Sequence, residues 1–245
     1  MKAFLLAAGL GTRLRPITET LPKCLVPVCG RPMLSWWMDQ LERHGVDEVL
    51  INLHHLPDPV RAFAAEYRGP VKIHLVMEEV LLGSAGTLDA NRGFVAGEEQ
   101  FFILYADNLT DVDLTALRRF NSEHPAPLTV GLFHAENPRA CGIVTLGADG
   151  TIEEFEEKPE HPKGDLASAG MFIARAGLFE YVCPSSFPYD LGNHVMPAMI
   201  GRMNGVPVEG YLRDVGTLEG LHRAELEWRS RLERPSDLLS TRPQQ

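Results

Sequence analysis

Short apolar runs alternate with amphipathic stretches through the first two-thirds of the chain. Residues 2–8, 48–53, 72–77, 101–106 and 128–133 are brief and rich in β-branched or aromatic side chains, which predicts buried strands. Between them, residues 33–44, 59–67, 86–94 and 114–121 carry apolar positions at helical spacing. That alternation predicts β-α-β units around a largely parallel sheet. After Pro138 the rhythm changes. Residues 142–146 and 151–155, joined by Ala148-Asp149-Gly150, read as a hairpin, followed by strands at 169–174 and 207–212. A helix is expected over 189–203 and a closing helix over 217–231. The expected fold is α/β: a Rossmann-like mixed, mainly parallel sheet flanked by helices, with a small α+β annex. It forms one domain over 1–231, divided into halves at 1–135 and 136–231, and a polar tail over 232–245 is expected to be flexible.

Composition narrows the class. There are 33 acidic against 23 basic side chains, a formal net charge of −10, and an acidic surface repels a nucleic-acid backbone. No apolar run approaches the roughly 20 residues of a membrane span. The run after Lys2 resembles the start of a signal peptide but is short, and breaks at Gly9-Leu10-Gly11-Thr12-Arg13, so it reads as a strand entering a glycine loop. Cys24, Cys29, Cys141 and Cys183 contain no C-x-x-C pair and no zinc-like spacing. A reduced, cytoplasmic protein is expected. Only five lysines accompany eighteen arginines, so each lysine is worth locating.

The glycine loop is the first chemical signal. Ligands of parallel α/β sheets bind beyond the carboxyl ends of strands, where this loop falls, and glycines let backbone N–H groups approach phosphates closely. It is not the dinucleotide fingerprint, whose third glycine would fall at Leu14, and it lacks the Gly-Lys-Ser/Thr ending of a P-loop. Arg13 and Lys23 lie on one excursion from the strand end. They would together neutralise a triphosphate whose leaving pyrophosphate gains charge, unless both are simply solvated loop residues.

Gly9-Leu10-Gly11-Thr12-Arg13-Leu14-Arg15-Pro16-Ile17-Thr18, then Pro22-Lys23-Cys24-Leu25-Val26-Pro27-Val28, then Gly30-Arg31-Pro32-Met33-Leu34, resembles the signature of the sugar-1-phosphate nucleotidylyltransferases. The likeness continues through Ala106-Asp107-Asn108, Asp214-Val215-Gly216-Thr217, Glu78 to Gly86, Glu157-Lys158-Pro159 and Ser168-Ala169-Gly170, so it covers about 1–230. It implies a transfer in which a sugar-phosphate oxygen attacks the α-phosphorus of a nucleoside triphosphate and pyrophosphate leaves. Arg13 and Lys23 would be catalytic, holding the triphosphate. Ala7, Ala8, Gly9, Gly11, Thr12, Glu78, Gly83, Ser84 and Gly86 would bind the nucleotide. Asn108, Gly142, Glu157, Lys158, Ser168 and Gly170 would bind the sugar phosphate, Ser168 standing where the family has Asn. Asp107 and Asp214, each at a strand's carboxyl end, would hold Mg²⁺, which prefers carboxylate, water and phosphate oxygens.

The small-residue stretch at 83–86 would open a helix with its amides facing the base, and a carboxylate at Glu78 or Glu79 would accept the paired donors of guanine. GTP with mannose 1-phosphate or a heptose 1-phosphate is therefore the leading expectation, and UTP or dTTP with a hexose or aminosugar 1-phosphate the alternative. A silent NDP-sugar-binding regulatory subunit and a nicotinamide dehydrogenase are further alternatives; the first would have lost Lys23, Asp107 or Asp214, and the second would carry its fingerprint. A left-handed β-helix domain is not expected, because the chain ends shortly after the closing helix. The expected partners are the two small substrates, with neither nucleic acid nor membrane, and a homodimer as the assembly. His54-His55 is expected to be structural because adjacent strand residues point to opposite faces. Trp36-Trp37 and the spaced Met196, Met199 and Met203 are expected to pack.

Overall fold

The computed structural model describes residues 1–233. The tail expected to be flexible therefore lies, from 234 onward, outside the described residues. The chain runs β1 (Lys2–Leu6), β2 (Pro27–Val28), β3 (Arg31–Pro32), α1 (Met33–Arg43), β4 (Glu48–Leu53), α2 (Pro57–Glu66), β5 (Lys72–Met77), α3 (Ser84–Ala90), β6 (Phe101–Tyr105), β7 (Asn108–Thr110), α4 (Leu114–Glu123) and β8 (Leu128–His134). The second half follows as β9 (Gly142–Leu146), β10 (Ile152–Glu157), β11 (Leu166–Ala174), α5 (Met196–Ala198), β12 (Asn204–Pro207), β13 (Leu212–Asp214) and α6 (Leu218–Leu232).

Strands β6-β1-β4-β5 are parallel throughout, with Phe4 registered against Leu50 on one side and Ile103 on the other. Strand β11 joins β6 antiparallel and leads into β9, β10 and β8, with β12 parallel to β8 beyond, so the sheet is mixed as expected. Successive strand residues face opposite sides. Ala3, Leu5, Val49, Ile51 and Leu104 pack on α1 and α4 through Leu34, Trp37, Leu41 and Leu117. Phe4, Leu50, Phe101 and Ile103 meet the other layer, built from α3 and the Met196, Met199 and Met203 region. Each such fully buried large side chain contributes about 1.5–3 kcal/mol relative to exposure. The three methionines and Trp37 are core residues, and Trp36 packs edge-on against Trp228 of α6.

Two expected elements change. The helix over 189–203 shrinks to a wide π turn at Leu191–Val195 and the three residues of α5. Beyond Met199 the backbone bonds go elsewhere: Gly201 N–H donates to Ile152 and Ile152 N–H to Met203, tying the segment to β10. The strand over 207–212 splits into β12 and β13 around Gly210, whose φ of +124° breaks the extended path. β13 then pairs with β7, a two-strand ribbon absent from the sequence reading.

Helix α6 closes the fold over that ribbon. Thr217 caps it, accepting from the Gly220 N–H at 3.0 Å, as expected for an N-cap threonine. Cys29 N–H donates to Glu225, Arg231 pairs with the buried Asp111, and Arg213 on β13 reaches Glu227 at 3.1 Å. The last strand of the ribbon is thereby held from behind.

Candidate functional site

The carboxyl ends of β1, β4, β5, β6 and β13 converge on one cleft edge. β1 ends at Leu6, and Ala7 to Gly11 lead into a 3₁₀ turn at Thr12–Leu14. Gly11 has φ +63°, and a Cβ there would lie 2.8 Å from the Thr18 methyl, so only glycine folds the loop back on itself. The Thr18 hydroxyl locks that fold by donating to Gly11 O at 2.7 Å. A second 3₁₀ turn follows at Ile17–Glu19, and Lys23 opens a third on the same excursion.

Lys23 is the centre of the charge arrangement. Its Nζ lies 2.5 Å from Asp107 Oδ2 and 3.8 Å from Asp214 Oδ1. Arg13 reaches Asp214 Oδ2 at 3.8 Å. The Lys23 side chain is only 11% exposed, whereas Arg13 is 62% exposed. Asp107 follows β6 and Asp214 ends β13; the Val215 N–H donates to Asp107 O, binding the two strand ends directly. Asp214 also accepts from Gly216 N–H at 2.6 Å. A Cβ on Gly216 would sit 2.5 Å from Lys23 Nζ, so that glycine leaves the room in which the ammonium lies.

The two aspartates present hard oxygen donors, and no cluster of three or more potential metal-ligating side chains occurs among the described residues. Carboxylate oxygens suit a hard cation that keeps water and phosphate oxygens in its shell. The donor set therefore fits a hard divalent ion bound together with a phosphorylated ligand.

On the annex side, Glu157 at the end of β10 stands between two glycines. A Cβ on Gly142 or Gly192 would lie 2.8 or 2.6 Å from Glu157 Oε2. Lys158 follows with φ +49°, its side chain 65% exposed and its ammonium 3.4 Å from Glu157. Asn108 donates to Ala169 O at 3.1 Å and so holds the irregular part of β11 that carries Ser168 and Gly170. Tyr105 sits beneath this group. Burial pushes its phenol up beyond the ordinary range, its hydrogen bond with Ser84 offsets part of that, and the nearby Glu157, Asp190 and Asp107 charges add to it. It remains a neutral hydroxyl at physiological pH.

Two sequence expectations are corrected around α3. The amides expected to face a base are occupied: Ser84 N–H donates to Asp190 Oδ1 at 3.1 Å, and Ala85 and Gly86 N–H both donate to Tyr189 O at 2.9 Å. A segment about 100 residues downstream caps this short helix, which local sequence cannot reveal. Gly83, at φ +81°, permits it, since a Cβ would fall 2.6 Å from Tyr189 N. Glu78 is the second. Its carboxylate turns inward, 4% exposed, accepting from Asn52, from Thr87 and from Leu82 N–H, so it is not turned toward a guanine edge. Glu79 is the exposed carboxylate of that pair.

Sequence reasoning also passed over Asn52, Asp190, Gly192 and Tyr105. Asn52 was legible as the lone amide in the apolar run of β4; the others carried no local signal. His54 bonds to Glu78 O at 2.9 Å and His55 to Thr18 O at 3.2 Å, so both pin loops, in keeping with the structural role expected of them.

The sequence and the fold have counterparts in known proteins. Residues 2–231 match the nucleotidyl transferase family model. The chain belongs to that family. It is 32% identical over 222 residues to a UTP–glucose-1-phosphate uridylyltransferase of Synechocystis, a match covering 84% of this chain and 56% of that enzyme. It is 31% identical to the catalytic subunit beta of mannose-1-phosphate guanylyltransferase of Danio rerio, covering 88% of this chain and 61% of the subunit. The chain thus spans little more than half the length of these curated relatives. Among solved structures, a putative glucose-1-phosphate thymidylyltransferase of Bacillus anthracis superposes with a TM-score of 0.80 at 24% identity, covering 94% of this chain and 95% of that one. A UDP-glucose pyrophosphorylase bound to UDP-glucose gives 0.82 at 18% identity, covering 94% and 98%. Both share the mixed sheet flanked by helices.

Proposed function

We propose that the protein joins a nucleoside triphosphate to a sugar 1-phosphate, forming an NDP-sugar and pyrophosphate. The observation that carries this reading is the convergence of Lys23 with Asp107 and Asp214, with Arg13 at the rim. Two anions must meet for the reaction, and the cleft supplies cations and carboxylates where their charges would collect. The sugar-phosphate oxygen attacks the α-phosphorus, the bond to the β-phosphate bridging oxygen breaks, and pyrophosphate carries the electron pair away. Arg13 and Lys23 would take the growing negative charge of that leaving group.

Mg²⁺ is the proposed cation; held by Asp107 and Asp214, it would polarise the phosphoryl oxygens and neutralise their charge. Ala7, Ala8, Gly9, Gly11 and Thr12 would cradle the nucleotide. Glu157 would accept sugar hydroxyl hydrogens between Gly142 and Gly192, Lys158 would meet the sugar phosphate, and Asn108, Ser168 and Gly170 would shape the floor.

Guanosine triphosphate with mannose 1-phosphate or a heptose 1-phosphate is the preferred pair, supported by relatives named for guanylyl transfer to mannose 1-phosphate. The inward turn of Glu78 removes one argument for guanine, and the uridylyltransferase relative keeps UTP with a hexose 1-phosphate as the second reading. The four cysteines are free, which fits a reducing compartment, and no helix among the described residues is long and apolar enough to cross a membrane. The test crosses GTP, UTP, dTTP, ATP and CTP with mannose, heptose, glucose and N-acetylhexosamine 1-phosphates, reading pyrophosphate release with and without Mg²⁺. Turnover with one pair, dependent on the metal, is expected; silence across the panel overturns the proposal.

A further inference from the structure

Asn52 bonds three separate segments with a single side chain. It is the penultimate residue of β4 and 4% exposed. Its Oδ1 accepts from the Ala7 N–H at 2.7 Å, where β1 gives way to the glycine loop. Its Nδ2 donates to Glu78 Oε1 at 2.8 Å and to Thr87 Oγ1 at 3.0 Å, reaching the exit of β5 and the first turn of α3. Thr87 completes the triangle by donating to Glu78 Oε1 at 2.5 Å. Glu78 is a buried carboxylate with no basic side chain within salt-bridge distance among the described residues, so neutral donors alone satisfy it. Such a group is costly to leave short of a partner. Removing the Asn52 amide would release the glycine loop on one side and free Glu78 to seek water on the other.

We propose that Asn52 is a positioning residue for nucleotide binding, coupling the loop that would receive the triphosphate to the neighbouring loop from Glu78 to Thr87. The inference rests on the proposed function for what the glycine loop binds, but the coupling itself is a property of the fold. The donor and acceptor pattern dictates a specific repair. Asn52→Asp keeps the acceptor for Ala7 but sets two carboxylates against each other. Adding Glu78→Gln restores complementarity, because the glutamine amide donates to the carboxylate introduced at position 52 while its oxygen still accepts from Leu82 N–H.

The experiment compares wild type, Asn52→Asp, Asn52→Leu and the double variant Asn52→Asp/Glu78→Gln in steady-state kinetics and amide hydrogen exchange. Asn52→Asp is expected to raise KM for the nucleoside triphosphate about tenfold, the scale of one unsatisfied buried group, while KM for the sugar phosphate stays unchanged. The double variant is expected to recover most of that loss. In exchange, Asn52→Leu should expose not only Ala7 N–H but also Leu82 N–H, which Asn52 does not touch. Equal nucleotide KM in wild type and Asn52→Asp overturns the proposal. So does a parallel rise in both KM values that the double variant fails to repair, the mark of a merely structural role. Should wild type itself release no pyrophosphate, the functional reading fails separately, and exchange decides the coupling: an unaltered Leu82 amide in Asn52→Leu overturns it.

Discussion

Lys23 and Asp107, 84 residues apart in sequence, form the shortest ion pair of the candidate site at 2.5 Å, and Asp214 stands 3.8 Å from the same ammonium. A mostly buried lysine between two carboxylates does two things at once. It keeps the aspartates from repelling each other before any cation arrives, and it stands ready to pair with an incoming phosphate instead.

Lys23→Ala should lower kcat by about 10²-fold or more, the scale of losing one group that stabilises developing charge. Circular dichroism and thermal melting should show a folded protein, since the excursion is also held by Thr18 and by the apolar Leu14 and Leu25. Activity within a few-fold of wild type would remove Lys23 from the site.

Asp107→Asn keeps the shape and removes the charge. Its pyrophosphate release should lose most of its dependence on Mg²⁺, and a metal titration should no longer saturate where wild type does. An unchanged titration curve would show that the cation is held elsewhere.

Glu157→Gln tests the annex. The carboxylate sits in space that Gly142 and Gly192 leave open, so the substitution should fit without strain. It should raise KM for the sugar phosphate by about tenfold, since hydrogen bonds to a charged acceptor are worth about 1.5–3 kcal/mol, and leave KM for the nucleotide alone. A change in the nucleotide term instead would reassign Glu157.

His44 makes a stability prediction. Burial lowers its pKa below the ordinary 6.5, with the Asp113 charge opposing and Arg43 assisting. The folded state then binds its proton less readily than the unfolded chain, so stability is greater above about pH 6.5 and is lost as pH falls toward the lowered value. Thermal melts should fall between about pH 7.5 and pH 5, and His44→Gln should flatten that slope. An identical slope in the variant would place the acid sensitivity on other groups.

The parallel core and the motif residues were legible because they depend on local properties. An apolar run of five or six residues with β-branched content predicts a strand from local properties, and β1, β4, β5 and β6 appear where those runs predicted, although β5, at the sheet edge, has no fully buried residue and so is not the buried strand expected there. Arg13 and Lys23 were legible as two cations on the excursion that follows β1, and Asp107, Asp214 and Glu157 through the resemblance of their motifs to a known family; the fold brings Arg13, Lys23, Asp107 and Asp214 within one ion-pair cluster.

What tertiary structure alone decided is which hydrogen-bonding groups remain open to a ligand. Ser84 and Gly86 looked available from their neighbours, yet Asp190 and Tyr189 arrive from about a hundred residues away and occupy their amides. Glu78 looked like a surface acceptor, yet Asn52 and Thr87 draw it inward. The same long-range pairing replaced the expected helix over 189–203 with short turns, because Tyr189, Gly201 and Met203 bond across to α3 and β10. Periodicity and motif spacing report where a side chain sits along its own element. Whether its donors and acceptors are already taken depends on segments that meet only when the sheet has closed, and that was decided by the fold.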